Sequence, residues 1–296
     1  MKRLSLIIAT YNRSAWVLET LASVAAQSAP AAAWECIVVD NNSKDDTRAR
    51  VDEFIALHVE LDIKYIHEPK QGLSHARNCG IENSSGEILA IIDDDELICP
   101  EFIAAYIELF DSYTEAASAG GKIIAQYRTA RPSWMSHLPE RAIANPIDFG
   151  EQVREFPKGR IPGGGNMAIR RSVLDRYGNF NTELGRNGNS LIGGEENELF
   201  ERLARGGERC FYAPRAIMYH LIPDEKLTRE YFARLCYNMG VSQKVRAKIA
   251  GRSPLFVEYL KWFAALGLAL GYLLTLRPGK ALYILIMRFN ILCGLL

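Results

Sequence analysis

None of the six cysteines, at positions 36, 79, 99, 210, 236 and 293, stands at CxxC spacing, and none clusters with a histidine. That argues against a disulfide framework or a zinc site and for free thiols in a reducing compartment. Net charge is missing too: 35 Lys and Arg face 35 Asp and Glu, so bulk electrostatics gives no case for nucleic-acid binding. Lys2 and Arg3 precede an apolar run too short for a signal-peptide core. Residues 4–9 are therefore expected as a buried strand, and the body as cytoplasmic. There is no internal repeat and no low-complexity tract. The 296 residues, 48% hydrophobic and 24% charged, exclude wholesale disorder and suit one large domain, or one domain with an appendage.

The zero average hides an asymmetry. Residues 226–296 hold eleven Lys and Arg against two acids, a balance of +9, so residues 1–225 sum to −9. In the acidic body, four apolar runs, Ser5–Thr10, Cys36–Asp40, Ile63–His67 and Ile88–Asp95, fit strands of a parallel sheet buried on both faces. Between them, Ser14–Ala26 and Asp46–His58 carry apolar stripes at helical spacing. Helical period returns at Arg171–Tyr177 and Glu195–Gly206, and 216–220 is expected as a last short strand. Alternating strands and helices predict a Rossmann-like α/β sheet flanked by helices, with its ligand site beyond the carboxyl ends of the strands. The Pro-rich stretch 128–165 is expected as long loops over that rim.

In the basic tail, 227–250 suits an amphipathic helix. Residues 255–276 are apolar except for Glu258 and Lys261, and 281–296 is apolar except for Arg288. A spanning helix needs about 20 apolar residues and usually shows a one-sided basic bias. Here Lys244, Arg246, Lys248 and Arg252 precede the first stretch, and Arg277 and Lys280 follow it. That symmetry favours helices lying in or dipping into one leaflet, with spanning left open and a helical cap or oligomer interface as the alternative.

The strongest chemical feature is Asp93-Asp94-Asp95 at the end of the apolar run ILAII. Three adjacent carboxylates repel one another, and at a strand end facing a cleft they call for a hard cation such as Mg²⁺ or Mn²⁺. A solvated acidic turn is the bland alternative. The context is more specific. SLIIATYNR (5–13), CIVVDNNSKDDT (36–47), QGLSHARNCGI (71–81), ILAIIDDDELICP (88–100), GGGNMAIRRSVLDRYGNF (163–180) and GGEENELFERLARGG (193–207) occur in this order over about residues 4–220. In these motifs the chain resembles the family 2 glycosyltransferases, which have the GT-A fold and a nucleotide-sugar donor.

The resemblance implies a transferase domain, placed over 1–225, while the composition of 226–296 makes that part a membrane-associating helical region. The resemblance also implies that Thr10, Tyr11, Arg13 and Asp40 border the nucleotide base, with Arg77, Asp93 and Asp94 also on the nucleotide and Asp93 on its ribose. Asp95, with His220, would hold Mn²⁺ or Mg²⁺ against the diphosphate. Gly164, Gly165 and Asn166 would line the donor sugar. Apart from the resemblance, the place of Trp134 in the Pro-rich rim loop suits stacking on an acceptor sugar. The family places a Glu-Asp pair where this chain has Glu195-Glu196, so Glu196 falls at the position of the base and Glu195 beside the sugars. The activity implied is inverting transfer from a UDP-sugar to a hydroxyl of a glycan or lipid-linked acceptor, on the cytoplasmic side of a membrane, peripherally or integrally. The alternatives are a silent nucleotide-sugar-binding scaffold and a nucleotidyltransferase. The second lacks its phosphate loop, since Ala9–Ser14 contains no glycine.

Overall fold

In a computed structural model that describes residues 2–188, 190–251 and 253–296, β1 (Leu4–Thr10) and β2 (Trp34–Asp40) are buried at every position. Alternate side chains of a strand point to opposite faces, so β1 feeds two cores. Leu4, Leu6 and Ile8 join one apolar cluster with Val17, Leu21 and Val24 of α1 (Ser14–Ala25). Ile7 and Ala9 join the other with Ala76 and Ile81 of α3 (Leu73–Glu82). Each fully buried Leu, Ile or Val contributes about 1.5–3 kcal/mol.

The remaining elements of this unit are α2 (Thr47–Leu57), β3 (Ile63–His67), α3 (Leu73–Glu82), β4 (Ile88–Asp93), β5 (Glu96–Ile98), α4 (Phe102–Ser112), β6 (Ala116–Tyr127), β7 (Arg154–Glu155), β8 (Met167–Arg170), α6 (Arg171–Tyr177), α7 (Glu195–Arg205) and β9 (Arg209–Ile222). The sheet runs β3-β2-β1-β4-β8-β6-β9-β5, with β7 paired to β9. β1 to β4 are parallel, whereas β8 runs antiparallel to β4 and β6, and β5 antiparallel to β9. The sheet is therefore mixed, flanked by helices on both faces.

Three elements differ from expectation. The triple acid is not all strand: β4 ends at Asp93, and Asp94-Asp95 form the turn into β5. β9 runs fourteen residues rather than five, because Pro214 and the polar start at Arg209 mask its alternation. β6 is invisible as a strand because Gly120-Gly121 interrupts it. Both glycines are there for close approach, since a Cβ on Gly120 would overlap the Pro162 ring and one on Gly121 the Ala216 carbonyl oxygen.

A second compact unit comprises Ala125–Pro146, Leu184–Gly194 and Ile222–Leu296. Part of the Pro-rich stretch expected as rim loop is thus the helix α5 (His137–Ile143), where Pro139 sits in the first turn and its missing N–H does no harm. With α8 (Arg229–Ile249) and α10 (Pro278–Leu295), α5 shares a core of Met135, Ile143, Phe232, Leu235, Met287 and Ile291, and α9 (Leu255–Leu274) packs on α10. α8 and α10 cross backbone to backbone, because Gly240 lies on the Ile291 carbonyl and Gly294 on that of Tyr237. Of the basic residues expected to flank the first apolar stretch, Arg252 lies outside the described residues.

α9 and α10 are long and apolar enough to cross a membrane. The charges that interrupt them are partners: Arg288 Nη1 of α10 lies 2.9 Å from Glu258 Oε1 of α9, and Lys261 Nζ is 3.3 Å from Oε2. Glu258 is fully buried, and most of the rest of α9, including Phe256, Phe263, Leu270 and Leu274, is exposed. Removing one partner of a buried pair strands the other charge. Arg288→Met is expected to lower unfolding stability by about 3 kcal/mol, whereas Glu258→Leu/Arg288→Met stays within about 1 kcal/mol of the parent. Chemical denaturation in detergent checks both.

Candidate functional site

The polar ends of the parallel strands are tied to one another before any ligand is considered. Asn12 and Asn42, just beyond β1 and β2, adopt left-handed φ of 51° and 67°, a conformation Asn tolerates. Asn12 Oδ1 accepts from Lys44 N at 2.6 Å, and Asn12 N donates to Ser43 Oγ at 2.8 Å. Asp40, closing β2, is buried, accepting from Ser43 N at 2.8 Å and from the Tyr65 hydroxyl at 2.6 Å. An ionised carboxylate has further lone pairs, so a ligand N–H can still be taken.

Arg77 of α3 is 1% exposed. Its Nη1 meets Glu195 Oε1 at 2.7 Å, and its Nη2 meets Asp93 Oδ1 at 2.8 Å and Gly164 O at 3.0 Å. Burial opposes its charge, but Asp93 and Glu195 outweigh burial and hold the guanidinium above its ordinary pKa. One side chain thus fixes three segments: the end of β4, the glycine stretch and the start of α7.

A second arginine governs the other two acids. Arg13 Nη1 lies 2.5 Å from Asp94 Oδ1 and 3.1 Å from Asp95 Oδ2, while the Thr10 hydroxyl donates to Asp94 Oδ2 at 2.8 Å. Burial pushes the Asp94 carboxyl up to about 6, with Arg13 opposing and Asp95 adding to the rise. Two buried carboxylates here share one guanidinium. The β5–β9 register sets Glu96 opposite His220, Leu221 N donates to Asp95 O at 2.9 Å, and His220 Nε2 stands 4.0 Å from Asp95 Oδ2. Among the described residues no group of three or more His, Cys, Asp or Glu is placed to hold a metal. A carboxylate and an imidazole 4.0 Å apart, beside a second buried acid, nonetheless fit a divalent ion that takes its other ligands from water and phosphate oxygens.

Glu195 and Glu196 open α7 after Gly194, whose φ of +92° needs glycine. Glu195 is buried and committed to Arg77 through Oε1, while its Oε2 has no hydrogen-bond partner. Glu196 is only half-buried; its Oε1 accepts from Asn197 Nδ2 at 2.6 Å. Desolvation, then the neighbouring Glu195, push the Glu196 carboxyl up to about 7, with Arg77 pulling the other way.

Several expected ligand contacts turn out to be internal. Asn166 is fully buried: its amide nitrogen donates to Lys122 O at 3.0 Å and Ala216 O at 3.1 Å, and its oxygen accepts from Tyr106 at 2.5 Å. It is a core bolt rather than a sugar contact. Thr10 and Asp94 face each other inside, whereas Tyr11 and Arg13 keep partial exposure at the rim. Trp134, in the second unit, stacks on Tyr283 with ring centroids 3.8 Å apart, so that face is closed to a sugar. Gly164 stays open toward Arg77 and Glu196, but the space beside Gly165 is filled by the Glu96 carboxylate.

Glu96 is the residue that sequence reasoning missed. It is buried, its Oε2 accepts from Asp93 N at 2.7 Å, and burial, then Asp93 and Asp95, hold its carboxyl well above the usual range. The signal was a fourth acid followed by Leu97-Ile98, an acid inside an apolar strand.

Comparison with known proteins identifies the family and the fold. Residues 5–178 match the profile described as glycosyl transferase family 2. The chain is 30% identical over 237 residues to the succinoglycan biosynthesis protein ExoM of Rhizobium meliloti, covering 79% of this chain and 71% of the relative. It is 25% identical over 255 residues to a glucosyl-dolichyl phosphate glucuronosyltransferase of Haloferax volcanii, covering 82% and 77%. The fold resembles that of the mannosyltransferase PcManGT from Pyrobaculum calidifontis, solved with GDP-Man and Mn²⁺, with a TM-score of 0.66 at 19% identity over 99% of this chain and 85% of the other.

If Glu96 acts as an uncharged acceptor beneath the acidic turn, a neutral amide substitutes for it. Glu96→Gln is expected to stay within about 1 kcal/mol of the parent in unfolding stability. Glu96→Ala, which leaves Asp93 N without its acceptor and opens a cavity beside Gly165, is expected to lose about 2–4 kcal/mol in the same denaturation measurement.

Proposed function

The chain belongs to glycosyl transferase family 2, and from that membership we infer that it is a metal-dependent inverting transferase. It would move a sugar from a nucleoside diphosphate, UDP in our reading, to a hydroxyl of a lipid-linked glycan. The observation that carries this is the Arg77-tied cluster, which gathers Asp93, Glu195, Glu196 and the Gly164 carbonyl around one cation.

The residues divide the work. Asp40 and Tyr11 border the base, with Arg13 on the same rim. Asp93, whose side chain is 34% exposed, meets the ribose. Asp95 and His220 would hold Mn²⁺ or Mg²⁺. A divalent ion bound there supplies Lewis-acid stabilisation to the departing diphosphate. Glu195, fixed by Arg77, positions the neighbouring base and is poised to accept from sugar hydroxyls through Oε2. Glu196 takes the acceptor proton as the acceptor oxygen attacks the anomeric carbon. The bond from that carbon to the diphosphate breaks on the opposite side, inverting the centre. A base near pKa 7 suits this task at neutral pH. Glu196 is one methylene longer than the family's aspartate.

The exposed apolar face of α9 and the +9 balance of residues 226–296 support an acceptor held at the cytoplasmic face of a membrane. The Haloferax volcanii relative, named for a dolichyl phosphate substrate, points to the same acceptor chemistry.

Calorimetric titration of UDP into the full-length chain in mild detergent, with and without Mn²⁺, is expected to show binding that needs the metal and is abolished in Asp95→Asn. If GDP binds instead, the uridine assignment fails. Glu196→Gln is expected to lower kcat by about 10²–10⁴-fold while leaving donor affinity unchanged; normal turnover would refute the base assignment. Because the base must be deprotonated, the parent rate should rise with pH through about 7, and that limb should vanish in Glu196→Gln.

A further inference from the structure

Two glycines, Gly193 and Gly194, stand immediately before the paired acids that open α7. Glycine constrains its own backbone least of all residues, so the pair cannot by itself set the direction in which the chain enters the helix. Side chains of α8 set it instead. Ser242 is buried, and its Oγ accepts from Gly193 N at 2.9 Å while donating to Asn238 O, one turn back, at 2.7 Å. The hydroxyl is thereby oriented, its proton spent on the helix and a lone pair turned to the incoming amide. One turn further along α8, the Arg246 side chain backs Gly194, where a Cβ would press on Nε and Cδ. Just upstream, Leu191 packs on the core that contains Met135, Phe232 and Ile291. Leu191, Gly193, Gly194 and these α8 residues all belong to the second unit, and 49 positions of sequence separate Gly193 from Ser242. The next residues in the chain are Glu195 and Glu196.

We propose that Ser242 is a positioning residue for Glu196: by holding the Gly193 amide it sets how α7 begins, and hence where the base stands. This rests on the reading of Glu196 as the base given above. Arg77 holds Glu195 through its side chain, whereas Ser242 holds the backbone two residues before it. The helical unit therefore contributes to the transfer itself, through the segment of chain that it carries up to Gly194.

The test uses the full chain in mild detergent, isotopically labelled at the glutamate carboxyl carbons, with the Glu196 resonance assigned by its loss in Glu196→Gln. The charged groups acting on Glu196 are Glu195 of its own helix and Arg77 of α3, and Ser242→Ala removes neither. In the parent the carboxyl is expected to titrate near 7, with burial the largest cause. Ser242→Ala leaves the Gly193 amide without its acceptor, frees the turn and admits water. The midpoint is then expected to fall by about one pH unit toward the ordinary carboxylate range. Amide exchange across 193–197 should quicken about tenfold, the order that one lost hydrogen bond carries. Phe232→Leu, which loosens α8 in its apolar core without touching Gly193, is expected to leave the midpoint at the parent's value. Unchanged exchange or an unmoved midpoint in Ser242→Ala overturns the proposal. So does an equal fall in Phe232→Leu, which makes the effect one of general stability. UDP titration with Mn²⁺ on the parent and Ser242→Ala separates the two readings. Equal binding with an unmoved midpoint fails the positioning role alone; absent binding with a lowered midpoint fails the transferase reading alone.

Discussion

The site hangs on a buried cation. Arg77 sits out of water, where an unpaired guanidinium would be prohibitively costly, and two carboxylates and a carbonyl make its burial tolerable. The dependence is mutual. Asp93 belongs to a strand end, Glu195 to a helix start and Gly164 to a loop, and no backbone ladder joins the three. Their spacing is set by the span of one planar fork, which fixes direction as well as distance. Glu196 inherits its location from this arrangement, one residue along the helix from an anchored neighbour.

Around that fork the polar residues fall into two shells. The inner one consists of Thr10, Asp94, Glu96, Tyr106 and Asn166, all of whose cited hydrogen bonds go to other protein groups. The outer one consists of Asp93, Asp95, His220 and Glu196, grouped at the rim around the acidic turn and the start of α7. A preorganised outer shell needs a satisfied inner one, which explains why a motif such as DDDE or GGGN mixes residues of both kinds at adjacent positions. The turn at Asp94–Asp95 and the glycine stretch before β8 do the sorting, since the chain changes direction there between one residue and the next.

That sorting marks where the sequence was legible and where it was not. The four parallel strands and the helices between them could be found because both faces of the sheet are covered and the apolar runs are continuous. Arg77, inside a helix, was found only through the motif resemblance, whereas Asp93 and Asp95 could be singled out because charges at a strand end stand apart from an apolar run. β6 could not, because glycines placed for close approach look like breakers. Asn166 could not be told from a ligand contact, because an amide bolted into a core and one offered to a sugar are the same letters. Glu96 went unnoticed because its acidity was credited to the neighbouring triad. The share of 125–146 in a helical unit was hidden by prolines that read as loop yet fit a first turn.

The buried pair Glu258–Arg288 bridges helices whose paired residues are 30 positions apart in the chain. Within α9, Lys261 already stands beside Glu258, whereas Arg288 of α10 is paired with Glu258 on the other helix. An ionised side chain at mid-bilayer costs about 2.5–3.5 kcal/mol on insertion scales. During synthesis α9 emerges first, so the carboxylate that receives Arg288 is in place when α10 leaves the ribosome, and the hairpin rather than α10 alone is the unit suited to an apolar phase. Separated from α9, α10 would present one guanidinium without this carboxylate on an otherwise greasy helix.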